Sequence, residues 1–271
     1  MQKPSVSPDI EALQNKEIAY WRDSKDESPE SDSIYNIVNK ISDAGVLLDC
    51  LHRHCDKLSS AGKVLELGGG QGWASCVYKK IFPASHVTAT DISEFAVASL
   101  HKWERLFQVK IDDSYACTSY QTREGDSSID QIFCFAAAHH FLAHKRTLLE
   151  IGRILKPGGY AFYFYEPVTP RFFYPLARWR VNKKRPQVQE DVLIASRILE
   201  LARLAGLDAQ IDYYPSLIKR GAFETLYYFC LQRFPFLQRI LPCSAIFIFT
   251  RKSISRQQSP QPEGRVLRSL P

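Results

Sequence analysis

The 271-residue sequence predicts an α/β fold in which helices cover both faces of a doubly wound, largely parallel sheet. Three observations support this prediction. From residue 63 onward, short apolar runs alternate with helical patterns, and the first run leads directly into a glycine-rich turn. The run at 128–138 is largely apolar, as expected for a strand that is buried on both faces.

The first half of the chain supplies most of these elements. Apolar residues at helical spacing predict helices at 8–21 and 34–58, which form an N-terminal helical extension, 1–59. The predicted main domain, 60–252, begins with strand 63–67, a helix within 70–82 and strand 86–91. A second helix follows with Ser93 as its N-cap, and then a less distinct strand within 108–120. Strand 128–138, an amphipathic helix at 142–155 and strand 160–166 complete this half.

The second half contains two unusual segments. Residues 168–186 are basic and aromatic, and 219–242 form an apolar insertion between predicted strands at 208–217 and 243–252. Those strands should pair antiparallel, which would place the insertion at the same edge of the sheet as the glycine turn. The tail, 253–271, is rich in Ser, Gln, Pro and Arg, and this composition predicts disorder.

Composition excludes several classes of protein. The net charge is +6, but residues 251–271 hold five Lys or Arg and one acid, so the body of the chain has too little positive charge for a nucleic-acid footprint. No apolar run approaches the ~18 residues of a membrane span, and the N-terminus lacks a secretory pattern. Seven scattered cysteines indicate reduced thiols in a cytoplasmic protein. Cys50 and His54 lack a second ligand cluster, so no metal site is predicted.

The turn in VLELGGGQG, residues 64–72, has the pattern of a nucleotide-binding device. Glycine allows positive φ and close approach of backbone to a ligand, and the following helix presents its first N–H groups. Asp91 lies 19 residues after Gly72 at the end of the next strand, where an acid can bind both ribose hydroxyls. Glu66 precedes the glycines; it would repel phosphate and attract an amino group. We therefore expect a positively charged nucleoside.

Four motifs together resemble class I S-adenosylmethionine-dependent methyltransferases, in particular the small-molecule group that includes quinone-biosynthesis enzymes: ELGGGQG at 66–72, TDIS at 90–93, SSIDQIFCFAAAHHF at 127–141 and GRILKPGGYAFYFYEP at 152–167. The resemblance implies a seven-stranded, Rossmann-like sheet whose last strand is antiparallel. By this resemblance, four residues lie along the methionine part of the cofactor: Glu66, Gly68, Gly70 and Gly72. Asp91, followed by Ile92, lies at the ribose. The family often binds the adenine amino group with an acid, where this chain has Cys117 or Thr118. We expect backbone groups or Thr118 to serve instead.

The resemblance also bears on the methyl acceptor. His139 and His140 follow the fourth strand, at the edge where open α/β sheets bind ligands, and a histidine there could act as general base. Alternatively, one histidine packs against the cofactor or caps the next helix. Enzymes that methylate adenine amino groups or protein glutamine amides typically carry an Asn/Asp-Pro-Pro-aromatic motif at this point, and this chain does not. The expected acceptor is a small aromatic or lipophilic molecule.

Two apolar segments have alternative interpretations. Seven residues of the insertion either form a lipophilic lid, to which Tyr20 and Trp21 contribute, or belong to an enlarged core: Phe223, Leu226, Tyr227, Phe229, Phe234, Phe236 and Leu237. The segment 171–185 contains no acid, and it presents either a solvated helix face or a surface for an anionic membrane: Arg171, Arg178, Arg180, Lys183, Lys184 and Arg185.

Two other functions share parts of this pattern. A non-catalytic, cofactor-binding or regulatory module with the same fold is compatible with the missing adenine acid. A nicotinamide dehydrogenase would share the glycine turn and Asp91, but Glu66 and the late antiparallel strands argue against it. The sequence does not specify an oligomeric state.

Overall fold

The computed structural model describes residues 8–58, 62–184 and 191–252, the side chain of Lys184 excepted. The predicted tail and Arg185 lie outside this range. Within it, eight strands form one sheet: β1 (Lys63–Glu66), β2 (His86–Asp91), β3 (Asp113–Ala116), β4 (Ile129–Phe135), β5 (Leu155–Thr169), β6 (Leu193–Ile194), β7 (Leu207–Tyr213) and β8 (Cys243–Arg251).

The strand order is β3-β2-β1-β4-β5-β8-β7, and the two-residue β6 pairs with the end of β5. Strands β1 to β5 pair in parallel, whereas β8 is antiparallel to both β5 and β7. This arrangement confirms the predicted doubly wound sheet with an antiparallel last strand. The short β6 is an addition to the seven expected strands.

Helices flank the sheet: α1 (Pro8–Asp23), α2 (Ile34–Arg53), α3 (Cys55–Leu58), α4 (Trp73–Ile81), α5 (Glu94–Ala98), α6 (Leu100–Phe107), α7 (His144–Ile154), α8 (Tyr174–Lys184), α9 (Ala195–Leu204) and α10 (Ala222–Arg233). Short 3₁₀ turns occur at Ala138–His140, Arg171–Phe173 and Pro235–Arg239. The helix predicted at 34–58 is interrupted at His54, which separates α2 from α3. In the described part of the chain, no helix has both the length and the apolar character to cross a bilayer.

The core consists of two apolar clusters, one on each face of the sheet. Side chains alternate along β5, so that Phe162 and Phe164 join the cluster with α2 and α4, while Ala161 and Tyr163 join the cluster with α7 and α9. Burial on both faces explains why the central strands have few polar residues.

Strand register determines which residues meet at the ligand-binding edge. Glu66, the last residue of β1, pairs with Ala89 of β2 and Phe133 of β4. Because these strands are parallel, their carboxyl ends lie together. Strand β8 runs the opposite way and pairs Ser244 with Pro167 near the end of β5, so the start of β8 reaches the same edge.

Candidate functional site

A cavity of about 1170 Å³ lies at this edge of the sheet. The glycine turn, the residues after β2 and β4, and the end of β5 form its base, while residues of α1, α2 and α10 contribute to its walls. Small-molecule sites usually have volumes of about 300–1000 Å³. This cavity therefore has room for a nucleoside-sized molecule together with a second small molecule.

The glycine turn contributes Gly68, Gly69 and Gly70 to the cavity lining. Gly68 has a φ of 66°, and a Cβ at that position would lie 2.9 Å from the ring of Phe141. A Cβ on Gly70, whose φ is 54°, would lie 3.1 Å from the ring of Trp21. Glycine is thus required at both positions by backbone conformation and by space. Gly72 does not line the cavity; it is the N-cap of α4.

Asp91 lines the cavity at the end of β2, and Ile92 lies beside it. Its Oδ2 accepts a hydrogen bond of 2.8 Å from the Gly70 N–H, and its Oδ1 accepts one of 2.9 Å from the Ser93 N–H. Burial raises the pKa of the Asp91 carboxyl to about 6. Each oxygen of an ionised carboxylate can accept a second hydrogen bond. The residues present therefore fit a ribose with two adjacent hydroxyls.

Glu66 does not line the cavity. Its side chain is 1% exposed, and its Oε2 accepts hydrogen bonds from the N–H and the hydroxyl of Ser75, in the first turn of α4. A Cβ on Gly69 would lie 2.7 Å from the Glu66 carboxyl carbon, so the carboxyl group lies directly beneath the turn. Burial raises its pKa to about 7. This geometry argues against the expected direct contact with an amino group and indicates that Glu66 shapes the turn from inside.

The region after β3 also differs from the expectation. Thr118 does not line the cavity, and its buried hydroxyl has no hydrogen-bond partner among the described residues. Cys117 and Ser119, on either side of it, do line the cavity. Cys117 and Ser119, and not the predicted Thr118, therefore contribute to this part of the cavity wall.

The turn after β4 is held by Glu166, a buried acid for which the sequence predicted no role. Its Oε1 accepts hydrogen bonds from the N–H groups of Ala137 at 2.9 Å and Ala138 at 2.8 Å. Its Oε2 accepts one of 3.2 Å from the His139 N–H and lies 2.9 Å from His139 Nδ1. A signal was available in the sequence, since Glu166 is an acid at the end of an otherwise apolar strand.

The contact with Glu166 orients His139. A carboxylate at 2.9 Å places the proton on Nδ1, which leaves Nε2 as the ring nitrogen that can accept a proton. His140 also lines the cavity, with its ring centroid 4.3 Å from that of His139. Both predicted histidines thus lie at the site, and the carboxylate makes His139 the better candidate for general base.

Helix α1 contributes Glu17, Tyr20 and Trp21 to the cavity, and the two aromatic residues thus lie where their predicted contribution to a lid would place them. Glu17 was not anticipated. Burial, together with the nearby charge of Asp91, raises the pKa of its carboxyl to about 8. Glu17 and Asp91 therefore both have raised pKa values in the cavity, and a positively charged ligand beside them would favour their ionised forms.

The predicted lid has a different composition from the one expected. None of the seven apolar residues proposed for it lines the cavity, and the insertion instead contributes Lys219, Arg220 and Tyr228. Tyr227 and Leu237 pack against the core, whereas Phe223 is 91% exposed. Helical spacing explains the difference, because α10 turns Tyr228 toward the cavity and Phe223 toward solvent.

Comparison with known proteins bears on this cavity and its sheet. Residues 65–163 match the family model described as "Methyltransferase domain". These residues therefore form a methyltransferase domain. The matched range includes most of the glycine turn, Asp91 and both histidines.

Relatives of the methyltransferase domain include the phthiotriol/phenolphthiotriol dimycocerosates methyltransferases of Mycobacterium tuberculosis and Mycobacterium bovis. The chain is 29% identical to them over 150 residues, which are 55% of this chain. The match spans about half the relatives' length, 53%.

Solved structures share the fold. Geranyl diphosphate C-methyltransferase from Streptomyces coelicolor A3(2) has a TM-score of 0.63 at 12% identity, with 91% of this chain and 100% of the other covered. A putative sarcosine dimethylglycine methyltransferase from Galdieria sulphuraria has a TM-score of 0.58 at 15% identity, with coverages of 89% and 98%. At these identities the similarity concerns the fold alone.

Proposed function

We propose that the methyltransferase domain binds S-adenosylmethionine and transfers its methyl group to a small aromatic or lipophilic acceptor. The observation that carries this proposal is Asp91 at the end of β2, hydrogen-bonded to the glycine turn and facing a cavity large enough for two molecules. The solved neighbours support the cofactor, since the geranyl diphosphate C-methyltransferase was determined with S-adenosyl-L-homocysteine and a phosphoethanolamine N-methyltransferase of Haemonchus contortus with S-adenosyl-L-methionine. The relatives' names support a small-molecule acceptor.

S-adenosylmethionine supplies a sulfonium-activated methyl group. Asp91 would hold the ribose hydroxyls, and Gly68 to Gly70 would lie along the methionine part. Glu17 lines the same cavity and would add negative charge as it ionises. Tyr20 and Trp21 of α1 line the same cavity and would help to exclude water from it. These residues act by positioning and by charge, and such effects account for much of the rate of a transfer between oriented groups.

His139 would act on the acceptor. A lone pair of the acceptor atom forms the new bond to the methyl carbon, and the carbon–sulfur bonding pair returns to sulfur as the neutral thioether. An acceptor hydroxyl loses its proton as the bond forms, and an amine loses one from the ammonium that results. His139 Nε2 is oriented to take this proton because Glu166 holds Nδ1–H. The resulting imidazolium is stabilised by the Glu166 carboxylate 2.9 Å away.

Two measurements test this function. Calorimetric titration of the protein with S-adenosylhomocysteine should show binding that Asp91→Asn weakens by about tenfold or more, as expected for the loss of charge-assisted hydrogen bonds. The exposed acid Asp208 of β7 provides the control Asp208→Asn, which should bind normally. Absence of binding by the unmodified protein would contradict the proposal. Binding without methyl transfer to any member of a broad phenol, amine and lipid panel would instead support a non-catalytic module.

We further propose that α8 and α10 carry a surface that contacts an anionic membrane. This basic aromatic surface consists of residues 171–183 and 222–240. Phe172, Leu176 and Trp179 are 70%, 59% and 60% exposed. Phe172 lies in the 3₁₀ turn before α8, and the spacing of Leu176 and Trp179 places both along one side of that helix. In α10, Phe223 is exposed as well, and Arg180 forms an ion pair of 3.3 Å with Glu224 that joins the two helices.

Charge supports an anionic partner for this surface. Its Lys and Arg residues face a single acid, Glu224, within the two segments: Arg171, Arg178, Arg180, Lys183, Arg233 and Arg239. Exposed aromatic groups with basic neighbours are typical of interfacial membrane binding. Val181 and Tyr228, on the same two helices, line the cavity, so the surface adjoins the site. A lipophilic acceptor could then enter the cavity from a bilayer.

Vesicle co-sedimentation tests this surface. Binding should require phosphatidylglycerol in phosphatidylcholine vesicles, weaken as salt is raised from 50 to about 300 mM, and fall several-fold in Trp179→Ser and Phe223→Ser. Leu204→Ser, an equally exposed apolar position on α9, is the matched control. A specific membrane surface is contradicted if the vesicles are not bound or if salt does not affect the binding. It is also contradicted if Leu204→Ser reduces binding as much as the two test variants.

A further inference from the structure

Arg220 occupies an unusual position in the cavity wall, between β7 and α10. Its Nε donates to the carbonyl oxygen of Ser216 at 3.1 Å, and its Nη2 donates to the hydroxyls of Tyr165 at 3.0 Å and Ser244 at 3.1 Å. The guanidinium carbon stands 3.6 Å from the centre of the Tyr228 ring. Three hydrogen bonds and this stacking contact hold the guanidinium plane in one orientation.

No carboxylate of the described residues pairs with the charge of Arg220. Among residues 8–58, 62–184 and 191–252, no carboxylate lies within ion-pair distance of it, and Nη1 donates to none of these residues. The preceding residue is different, because Lys219 Nζ lies 2.9 Å from Asp43 Oδ1. A partly buried cation is costly unless an anion pairs with it. A ligand in the cavity could supply that anion.

The backbone around Arg220 is strained in two places. Lys219, directly before it, has a φ of 60°, and Tyr165, which accepts its hydrogen bond, has a φ of 57°. Tyr165 lies where the register between β5 and β8 shifts, between Tyr163 and Glu166. Positive φ is unfavourable for residues with bulky side chains, and such strain concentrates at binding and active sites. The strain therefore supports a functional role for the arrangement rather than an accidental one.

We propose that Arg220 is the anion-binding subsite of the acceptor and that it takes a carboxylate. This inference rests on the proposed function and narrows its substrate class to aromatic or lipophilic monocarboxylates. One unpaired guanidinium matches a single negative charge, whereas a phosphate monoester would need a second cation, and Lys219 is already paired. The walls beside it are aromatic, since Tyr165 stacks on Phe135 at 5.8 Å and Tyr228 lies under the guanidinium.

Matched acids and amides test the subsite. The protein, saturated with S-adenosylhomocysteine, is titrated with 4-hydroxybenzoate, 1-naphthoate and decanoate and with the three corresponding primary amides. We expect at least one carboxylate to bind about tenfold or more tightly than its amide. Arg220→Gln should reduce that carboxylate to the affinity of the amide, and Arg220→Lys should retain part of the preference. Arg203→Gln, at an exposed position on α9, should change nothing.

The outcomes separate the subsite from the proposed function. If S-adenosylhomocysteine binds but no carboxylate exceeds its amide, the subsite is refuted and the cofactor assignment stands. The subsite is also refuted if the unmodified protein and Arg220→Gln prefer the carboxylate over its amide to the same extent. If S-adenosylhomocysteine does not bind, both proposals fail. The affinity for S-adenosylhomocysteine in each variant shows whether the variant has folded, and Arg220→Lys retains the charge if Arg220→Gln does not fold.

Discussion

The buried carboxyl of Glu66 predicts a specific dependence of stability on pH. Its side chain is 1% exposed, and burial raises its pKa from the ordinary 4.5 to about 7. A raised folded-state pKa stabilises the protein fully below about pH 4.5, and this stabilisation is lost as the pH rises through 7. For a shift of this size the loss is about 3 kcal/mol, an order-of-magnitude figure.

The variant Glu66→Gln isolates this contribution. Glutamine has nearly the same volume and an oxygen that can accept the Ser75 N–H bond, but it does not titrate in this range. Other titrating groups act equally on both proteins. We therefore expect the unfolding free energy of the unmodified protein to fall, relative to the variant, by about 3 kcal/mol between pH 4.5 and 8.

Urea unfolding at a series of pH values measures this difference. Since about 1 kcal/mol shifts the melting temperature of a protein of this size by roughly 2–4 °C, thermal melts should show a relative change of roughly 6–12 °C. A difference that stays constant with pH would refute the reasoning, because it would mean that the Glu66 carboxyl is solvated rather than sealed beneath the turn. A large loss of S-adenosylhomocysteine affinity in Glu66→Gln would likewise indicate direct contact with the ligand.

Three further predictions concern the cavity. Gly68→Ala should destabilise the protein by about 1–2 kcal/mol and weaken S-adenosylhomocysteine binding, because φ is 66° and Phe141 blocks the new Cβ. The control is Gly206→Ala, where φ is 77° but the space is open. Its thermal melt should show the backbone effect alone, and its binding should be normal. S-adenosylmethionine affinity should rise between pH 7 and 9, because Glu17 ionises in the cavity and its charge attracts the sulfonium; calorimetry of Glu17→Gln should show a flatter pH dependence. His139→Gln should lower kcat/KM by about 10²–10⁴-fold for a hydroxyl acceptor while S-adenosylhomocysteine affinity changes less than about threefold; unchanged kcat/KM would exclude a general base.

The central sheet was predictable because its signals are local. Burial on both faces leaves an apolar run such as 128–138 that the sequence displays directly. The glycine turn and Asp91 were predictable for a similar reason, since the chain conformation at each position depends on residues close by. The direction of the Glu66 side chain was harder to predict from the sequence. Alternation along β1 does place it on the same face as Val64, toward α4.

The remaining site residues come together only through the fold. Glu166 meets His139 across 27 positions of sequence, and Arg220 meets Tyr165 across 55. No short pattern records such pairs, and the left-handed backbone of Tyr165 and Lys219 occurs at residue types that give no hint of it. Hydrophobicity likewise did not distinguish the side of α10 that faces the cavity from the side that faces solvent, because both are aromatic.

Helix α1 has a consequence for how a ligand would enter and leave the cavity. It places Trp21 against Gly70, yet none of its own side chains is fully buried. Segments with few buried apolar contacts open locally at a small fraction of the free energy of global unfolding. A bound nucleoside would then exchange through brief local opening of α1, while the sheet stays folded. The rate of its release would be set by how often α1 opens.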